Sequence, residues 1–249
     1  MYQFFIEDEN AAEDFVTIEG SDVNHIKNVL RMKPGEKIRV CTRSGQNYFC
    51  SISDITESFV CADILEKEAE STELPCRIYL FQGLPKNDKM EWIIQKTVEL
   101  GVYEVIPVAM KNCVVKLDDK KAKSKVMRWQ AIAESAAKQS KRSLIPEVKM
   151  PMSYKEAVAY AKELDVKLVP YENEHGMAGT KAAMEQIKKG ESVAVFIGPE
   201  GGFAPEEIAL VQDEMQLISL GKRILRTETA GIAALAILGY QLESSDMIE

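Results

Sequence analysis

The stretch Val193-Ala194-Val195-Phe196-Ile197-Gly198-Pro199-Glu200-Gly201-Gly202-Phe203 decides the fold. Its first half is a short apolar run of the kind that forms a buried strand, and its second half is built on glycines. Pro205-Glu206-Glu207 follows, a proline and two acids suited to the first turn of a helix. Strand, glycine loop and helix start together can hold a small polar ligand on backbone N–H groups, because glycine permits positive φ and close approach of the chain. A tight turn that only reverses a buried strand uses the same residues, so the residues alone leave both readings open. A second loop, Leu220-Gly221-Lys222-Arg223-Ile224-Leu225-Arg226-Thr227-Glu228-Thr229-Ala230, stands some twenty residues later and belongs with the first.

Working outward, the chain after Cys76 alternates strands with helices, which points to an α/β fold with a mostly parallel sheet. Strands are expected over 77–82, 104–109, 167–171, 192–197 and 216–220, and helices over 88–100, 120–141, 153–164, 181–188, 205–214 and 227–242. The first seventy or so residues read as short strands over 2–6, 37–43, 47–53 and 59–65, with one helix capped by Ser21 or Asp22 that runs to Arg31. Pro34-Gly35 and Ser44-Gly45 supply turn signals between them. Antiparallel strands at this spacing suggest a small β-barrel. The charged stretch 66–73, closed by Pro75, reads as a linker, which divides the chain into residues 1–72 and 73–249.

The bulk numbers narrow the function classes. A chain of 249 residues with 46% hydrophobic content can pack one large or two smaller domains. No apolar run approaches the roughly 18 residues of a membrane span, and the acidic start MYQFFIEDEN is unlike a basic leader, so a cytoplasmic protein is expected. Five cysteines, Cys41, Cys50, Cys61, Cys76 and Cys113, are widely spaced and form no C-x-x-C. Only His25 and His175 are available beside them, so neither a disulfide framework nor a metal site is expected. A net charge of −8 is unfavourable for nucleic-acid binding, but the charge is uneven. Lys27, Arg31, Lys33, Lys37, Arg39 and Arg43 face one acid, Glu36, between His25 and Arg43, and eleven Lys or Arg fall between Lys111 and Lys149. Local basic patches would have to carry any RNA.

The loop Gly198 to Gly202 fits neither a P-loop nor the G-x-G-x-x-G dinucleotide fingerprint. Glu200 is suited to capping the loop, and Glu228 follows Thr227, an N-cap candidate, where a carboxylate favours the helix dipole. In the 88–100 helix, Gln95, Lys96 and Glu99 occupy the polar side, while Trp92, Ile93 and Leu100 face inward. In the next helix Lys121, Lys125, Arg128, Ser135, Gln139 and Arg142 recur opposite Trp129, Ala133, Ala136 and Ser140. Such a basic stripe is either a solvated surface or a phosphate contact. Arg31 and Lys33 are read as RNA backbone contacts, and His25 either stacks on a nucleotide or completes the packing of its helix.

The pair IGPEGGF and LGKRILRTETA resembles the small-subunit ribosomal RNA methyltransferases that methylate N3 of a uridine in 16S rRNA, within the SPOUT superfamily of S-adenosylmethionine enzymes. HIKNVLRMKPG at 25–35, EWIIQKTVELGV at 91–102 and WQAIAESAAKQSKR at 129–142 extend the resemblance in the family's order over nearly the whole chain. The resemblance implies a PUA-like RNA-binding β-barrel in 1–72 and a SPOUT domain with a deep trefoil knot in 73–249, the knot involving the loops around 198–203 and 220–227. It also implies S-adenosylmethionine held by Gly198, Glu200, Gly201, Gly202, Leu220, Gly221, Ile224, Leu225 and Arg226. Arg226 becomes the candidate for stabilising charge on the uracil, and Glu228 and Glu200 the candidate bases. Gln139 and Arg142 join His25, Arg31 and Lys33 as RNA contacts, with Gln95 and Glu99 as organisers of the substrate pocket. The implied partners are 16S rRNA in the assembled small subunit and a second copy of the chain in a homodimer. Methylation of another RNA or of a ribose 2′-OH, or RNA binding without catalysis, are the alternatives.

Overall fold

The computed structural model describes residues 1–68, 71–174 and 176–245; His175 and part of the expected linker lie outside the described residues. Two compact units emerge, one of Met1–Glu73 with Ala137–Ile145, the other of Leu74–Ala136 with Pro146–Glu249.

In the first unit, β1 (Tyr2–Ile6), β2 (Phe15–Glu19), β3 (Lys37–Thr42), β4 (Asn47–Ile55) and β5 (Phe59–Glu68) form a five-stranded sheet in the order β1-β3-β4-β5-β2. The β1–β3 pair is parallel and the rest are antiparallel. The edge strands β1 and β2 also touch, so the sheet curls around a core that includes Phe4, Ile18, Ile26, Ile38 and Ile52. Strand β2 was not expected from its sequence, yet it alternates as a half-buried strand should: Val16 and Ile18 are buried while Phe15 and Glu19 face out. It is only five residues long and lies in an acidic stretch, which hides the pattern.

Helix α1 (Ser21–Asn24) continues through a wider π-type turn, His25–Val29. Its cap is Gly20 at φ +71°, not Ser21 or Asp22, and no side chain caps it. Asp22 instead accepts two 3.0 Å hydrogen bonds from Lys138 Nζ. The start of the expected linker is strand, since β5 runs to Glu68.

The second unit holds β6 (Arg77–Gly83), α2 (Lys89–Glu99), β7 (Val102–Ala109), α3 (Asp119–Ser140), β8 (Glu147–Val148), β9 (Met152–Ser153), α4 (Tyr154–Ala161), β10 (Val166–Pro170), α5 (Ala178–Glu185), β11 (Ser192–Ile197), α6 (Pro205–Val211), β12 (Gln216–Ile218) and α7 (Thr227–Ser245). The last turn of α3 belongs to the first unit. Its sheet is parallel throughout, in the order β12-β10-β11-β6-β7-β8 with β9 paired to β7. Every residue of β11 is buried, as a strand covered on both faces requires. The chain winds outward from β6 in two directions, first to β7 and later to β11. Phe81 and Phe196 stack across the β6 and β11 pair at 4.3 Å, and Tyr154 meets Phe196 and Phe203 edge-on at 6.2 and 6.3 Å. This aromatic row anchors the end of the glycine loop to the core.

Residues 137–145, expected in the second domain, pack with the barrel because polar groups on the barrel need them. Arg142 is 3% exposed and its guanidinium pairs with Glu73, whose carboxylate also accepts the Ser143 N–H at 2.8 Å. Gln3 donates to the Arg142 carbonyl at 2.6 Å, buried Arg39 to the Lys141 carbonyl at 2.8 Å, and Asn47 to Ser143 Oγ at 2.7 Å. Arg142 is therefore a buried structural cation and does not present itself to phosphate, contrary to the sequence expectation. Removing one partner of such a pair leaves the other buried and unmatched, so Glu73→Ala should destabilise the protein by about 3 kcal/mol in urea unfolding.

Candidate active site

The carboxyl ends of β10, β11 and β12 open onto a cavity of about 590 Å³. Gly198, Glu200, Gly202, Leu220, Gly221, Ile224, Leu225 and Arg226 line it, so eight of the nine expected cofactor residues meet in one place. Gly201, the ninth, is absent from the lining. A Cβ there would lie 3.0 Å from Cβ of Asn112, whose amide donates to the carbonyls of Gly201 and Gly202 at 3.1 and 3.2 Å. Asn112 thus fixes the far side of the loop, and nothing in its sequence context signals this.

The loop is a tight turn closed by Gly202 N–H on the Pro199 carbonyl at 2.9 Å. Gly202 sits at φ +66° and Gly221 of the second loop at φ +109°, conformations that favour glycine. Gly83, at the end of β6, allows the first loop to cross over it: a Cβ there would lie 2.6 Å from Pro199 N. The same backbone thus makes a tight turn and lines the cavity.

Three groups, two of them buried, tie the two loops together. Gln82 is fully buried on β6 and donates to Thr227 Oγ1 at 2.9 Å, and Thr227 Oγ1 donates in turn to the Gly198 carbonyl at 2.6 Å. Thr227 is thus spent on a tertiary bond, not on capping its own helix. The signal in the sequence was Gln82 itself, a lone polar residue ending the apolar run Ile78-Tyr79-Leu80-Phe81.

Lys89, on the first turn of α2, was also missed. Its ammonium lies 3.1 Å from Glu200 and 3.2 Å from Glu228, the latter an ion-pair distance without good hydrogen-bond geometry. The hydrogen bond that Lys89 donates to Glu200, and then the Glu228 carboxylate beside it, hold the Lys89 pKa above its ordinary value, so it stays cationic. Burial would raise the pKa of Glu200, but the Lys86 N–H and Lys89 outweigh it and hold the carboxyl below its ordinary 4.5. The contact is complete above that value and is lost only as pH falls through the lower folded pKa. A carboxylate so held is a poor proton acceptor, and Glu228 is engaged by the same lysine. Neither geometry suits the general base that the resemblance allowed them to be. Arg226, by contrast, is exposed at the cavity and its guanidinium has no partner among the described residues.

On the barrel unit, His25, Arg31, Lys33 and Gln139 are exposed. Arg31 adopts φ +53° just past the helix end, a position glycine favours. Much of the surrounding positive charge is consumed: Lys27 pairs with Glu57, Arg39 with Glu68 at 2.6 Å and Arg43 with Glu7 at 3.1 Å. The stripe on α3 is largely paired as well, Lys121 with Asp118, Lys125 with Asp88 and Arg128 with Glu91. Gln95 and Glu99 do not line the cavity, and Glu99 pairs with Lys96 at 2.8 Å. Trp92 is 52% exposed, not inward, with Lys96 Nζ 4.9 Å from its ring. Among the described residues no three His, Cys, Asp or Glu come together as a metal would require, and no helix is long and apolar enough to cross a membrane.

Thr227→Val keeps the shape but strands the Gln82 amide and the Gly198 carbonyl, so it should cost about 1–3 kcal/mol and speed amide exchange in both loops. Thr227→Ser should restore both; exchange at wild-type rates in the valine variant would refute the tie.

Residues 72–239 match the RNA methyltransferase domain family and residues 18–65 the RNA methyltransferase PUA domain family. The ribosomal RNA small subunit methyltransferase E of Bacillus subtilis (strain 168) is 39% identical, over 98% of both chains. The crystal structure of the Neisseria gonorrhoeae protein of the same name, bound to S-adenosyl methionine, superimposes with a TM-score of 0.84 at 31% identity, covering 96% of this chain and 97% of that one. A putative methyltransferase from Legionella pneumophila, in complex with the same cofactor, gives 0.82 at 30% identity over 96% and 97% of the two chains. With similarity of this extent running through the barrel, the parallel sheet and both loops of the cavity, the chain belongs to the ribosomal RNA small subunit methyltransferase E family.

Proposed function

We propose that the protein transfers the methyl group of S-adenosylmethionine to N3 of a uridine in 16S rRNA of the small ribosomal subunit, in the cytoplasm. The observation that carries this reading is the cavity itself: two loops with glycine-type backbone, tied by Thr227, enclosing apolar side chains beside the exposed guanidiniums of Arg223 and Arg226. Its volume suits a ligand of nucleoside size, since such pockets run to roughly 300–1,000 Å³. Ile197, Leu220, Ile224, Leu225 and Ala230 supply apolar walls, and the exposed backbone of Gly198, Gly202 and Gly221 supplies polar contacts that need no side chain. The trefoil knot implied by the resemblance belongs to this reading, supported by the bond from the start of α7 to the loop after β11.

Bound S-adenosylmethionine supplies a methyl group on a sulfonium whose leaving thioether is neutral, so alignment is the main demand on the protein. Uracil N3 carries a proton at neutral pH, and its removal leaves negative charge on the base. Arg226 meets that charge at the cavity mouth. Lys89 holds Glu200 and Glu228 in place, which makes the two carboxylates positioning residues for the loop and for α7. Residues 1–72 grip RNA through Arg31, Lys33 and His25, with Gln139 beside them in the same unit; residues 73–249 carry the reaction.

The protein acts as a homodimer in this reading. Helix α7 buries Gly231, Ala234, Leu235 and Leu238, yet also leaves Ala236 and Tyr240 exposed, with Ile232, Ala233 and Ile237 half-buried. A helix apolar on all sides calls for a second cover, and a partner copy provides it. Ile237→Glu should shift sedimentation from dimer to monomer; a wild-type protein that sediments as a monomer sinks this part.

The test of the reaction is incubation of the purified protein with labelled S-adenosylmethionine and small subunits lacking the modification, followed by nuclease digestion and reverse-transcription arrest. Label on one N3-methyluridine is the expected result, and label on ribose or on another RNA would replace the proposal. Arg226→Ala should lower turnover at least about a hundredfold, the range for loss of a charge-stabilising donor, with little change in RNA affinity. Turnover near wild type would remove Arg226 from the mechanism.

A further inference from the structure

The charges around the cavity are segregated by loop. The segment that follows β12 brings Lys222, Arg223 and Arg226, whereas the segment that follows β10 brings Glu172 and Glu174. Glu200, the remaining carboxylate, is already matched by Lys89. Glu172 has no ion pair or hydrogen bond to its side chain among the described residues, although it is close to the site's backbone. A Cβ built on Gly202 would lie 3.4 and 3.7 Å from its two carboxylate oxygens. The missing side chain at Gly202 therefore leaves the carboxylate facing the glycine loop.

Glu172 is exposed, and an unmatched carboxylate at the wall of such a site attracts a cation placed beside it, the more weakly as salt rises. We infer that Glu172 makes the pocket charge-selective, favouring the positively charged sulfonium donor over its neutral thioether product. The inference rests on the methyl-donor reading of the cavity. In the transfer the N3 electron pair forms the new N–C bond, the C–S bond electrons return to sulfur, and the N3 proton leaves to solvent. The positive charge that Glu172 attracts thus vanishes from the ligand in the same step, and what remains is bound less tightly. Glu172 thereby assists exchange of spent for fresh cofactor.

The test is calorimetric titration of the full-length protein with S-adenosylmethionine and, separately, S-adenosylhomocysteine, in the wild type, Glu172→Gln and Glu174→Gln. In Glu172→Gln, affinity for S-adenosylmethionine should fall about tenfold while that for S-adenosylhomocysteine changes less than about twofold, and added salt should narrow the wild-type preference. Glu174→Gln should change the ratio of the two affinities less than Glu172→Gln does. Equal loss for both ligands would assign Glu172 to a part they share and overturn the inference, as would an unchanged affinity for the donor. A melting temperature equal to wild type certifies the variant fold. Wild-type protein that binds neither ligand overturns the methyl-donor reading and this inference with it, whereas binding of both with equal affinity overturns only the inference.

Discussion

The site depends on one short chain of hydrogen bonds, from the buried Gln82 amide through the Thr227 hydroxyl to the partly buried Gly198 carbonyl. Each group comes from a different part of the sequence: the first strand of the sheet, the start of the last helix and the glycine loop between them. Buried polar groups are costly unless matched, so the three positions are determined together. With Gly198 held, the turn from Pro199 to Gly202 has one placement over Gly83, and with Thr227 held, the second loop must close on the first. The cavity is what remains between them.

Around this tie, charge is arranged by engagement. Most cations that look available in the sequence are paired, and Lys89 occupies two carboxylates at once. Cations left without an ion pair among the described residues include Lys222, Arg223 and Arg226 at the cavity and Arg31 and Lys33 on the barrel. A net charge of −8 is then no obstacle, because RNA responds to the local field of the unengaged cations.

Five of the seven strands of the parallel sheet were legible because buried strands are written as apolar runs, and Ser192–Ile197 fell where the run predicts, whereas β8 and β9, two residues each, are too short to carry a pattern. The two loops were legible because glycine and proline mark backbone conformation directly. Side-chain partners across long sequence separations were not. Arg142 reads as one more cation in a basic stripe, and only the fold brings Glu73 to it. Glu200 and Glu228 read as capping groups or candidate bases until Lys89, 111 residues from the former, is placed between them. Trp92 follows the apolar pattern of its helix yet lies outside, since periodicity gives a face and not its cover.

The barrel's last pieces arrive late. Arg142 and Ser143, which fill its polar sockets at Glu73, Gln3 and Asn47, lie 69 residues or more beyond Glu73 in the chain. On a ribosome adding roughly 5–20 residues per second, those sockets wait roughly 3–14 s after Glu73 is made. During that interval the nascent barrel has its strands but not its closing bonds, and α3 must be synthesised before it can lock. An N-terminal cassette cut at the apparent linker would carry the same open sockets permanently. The barrel is first in the sequence but not an independent first folding unit.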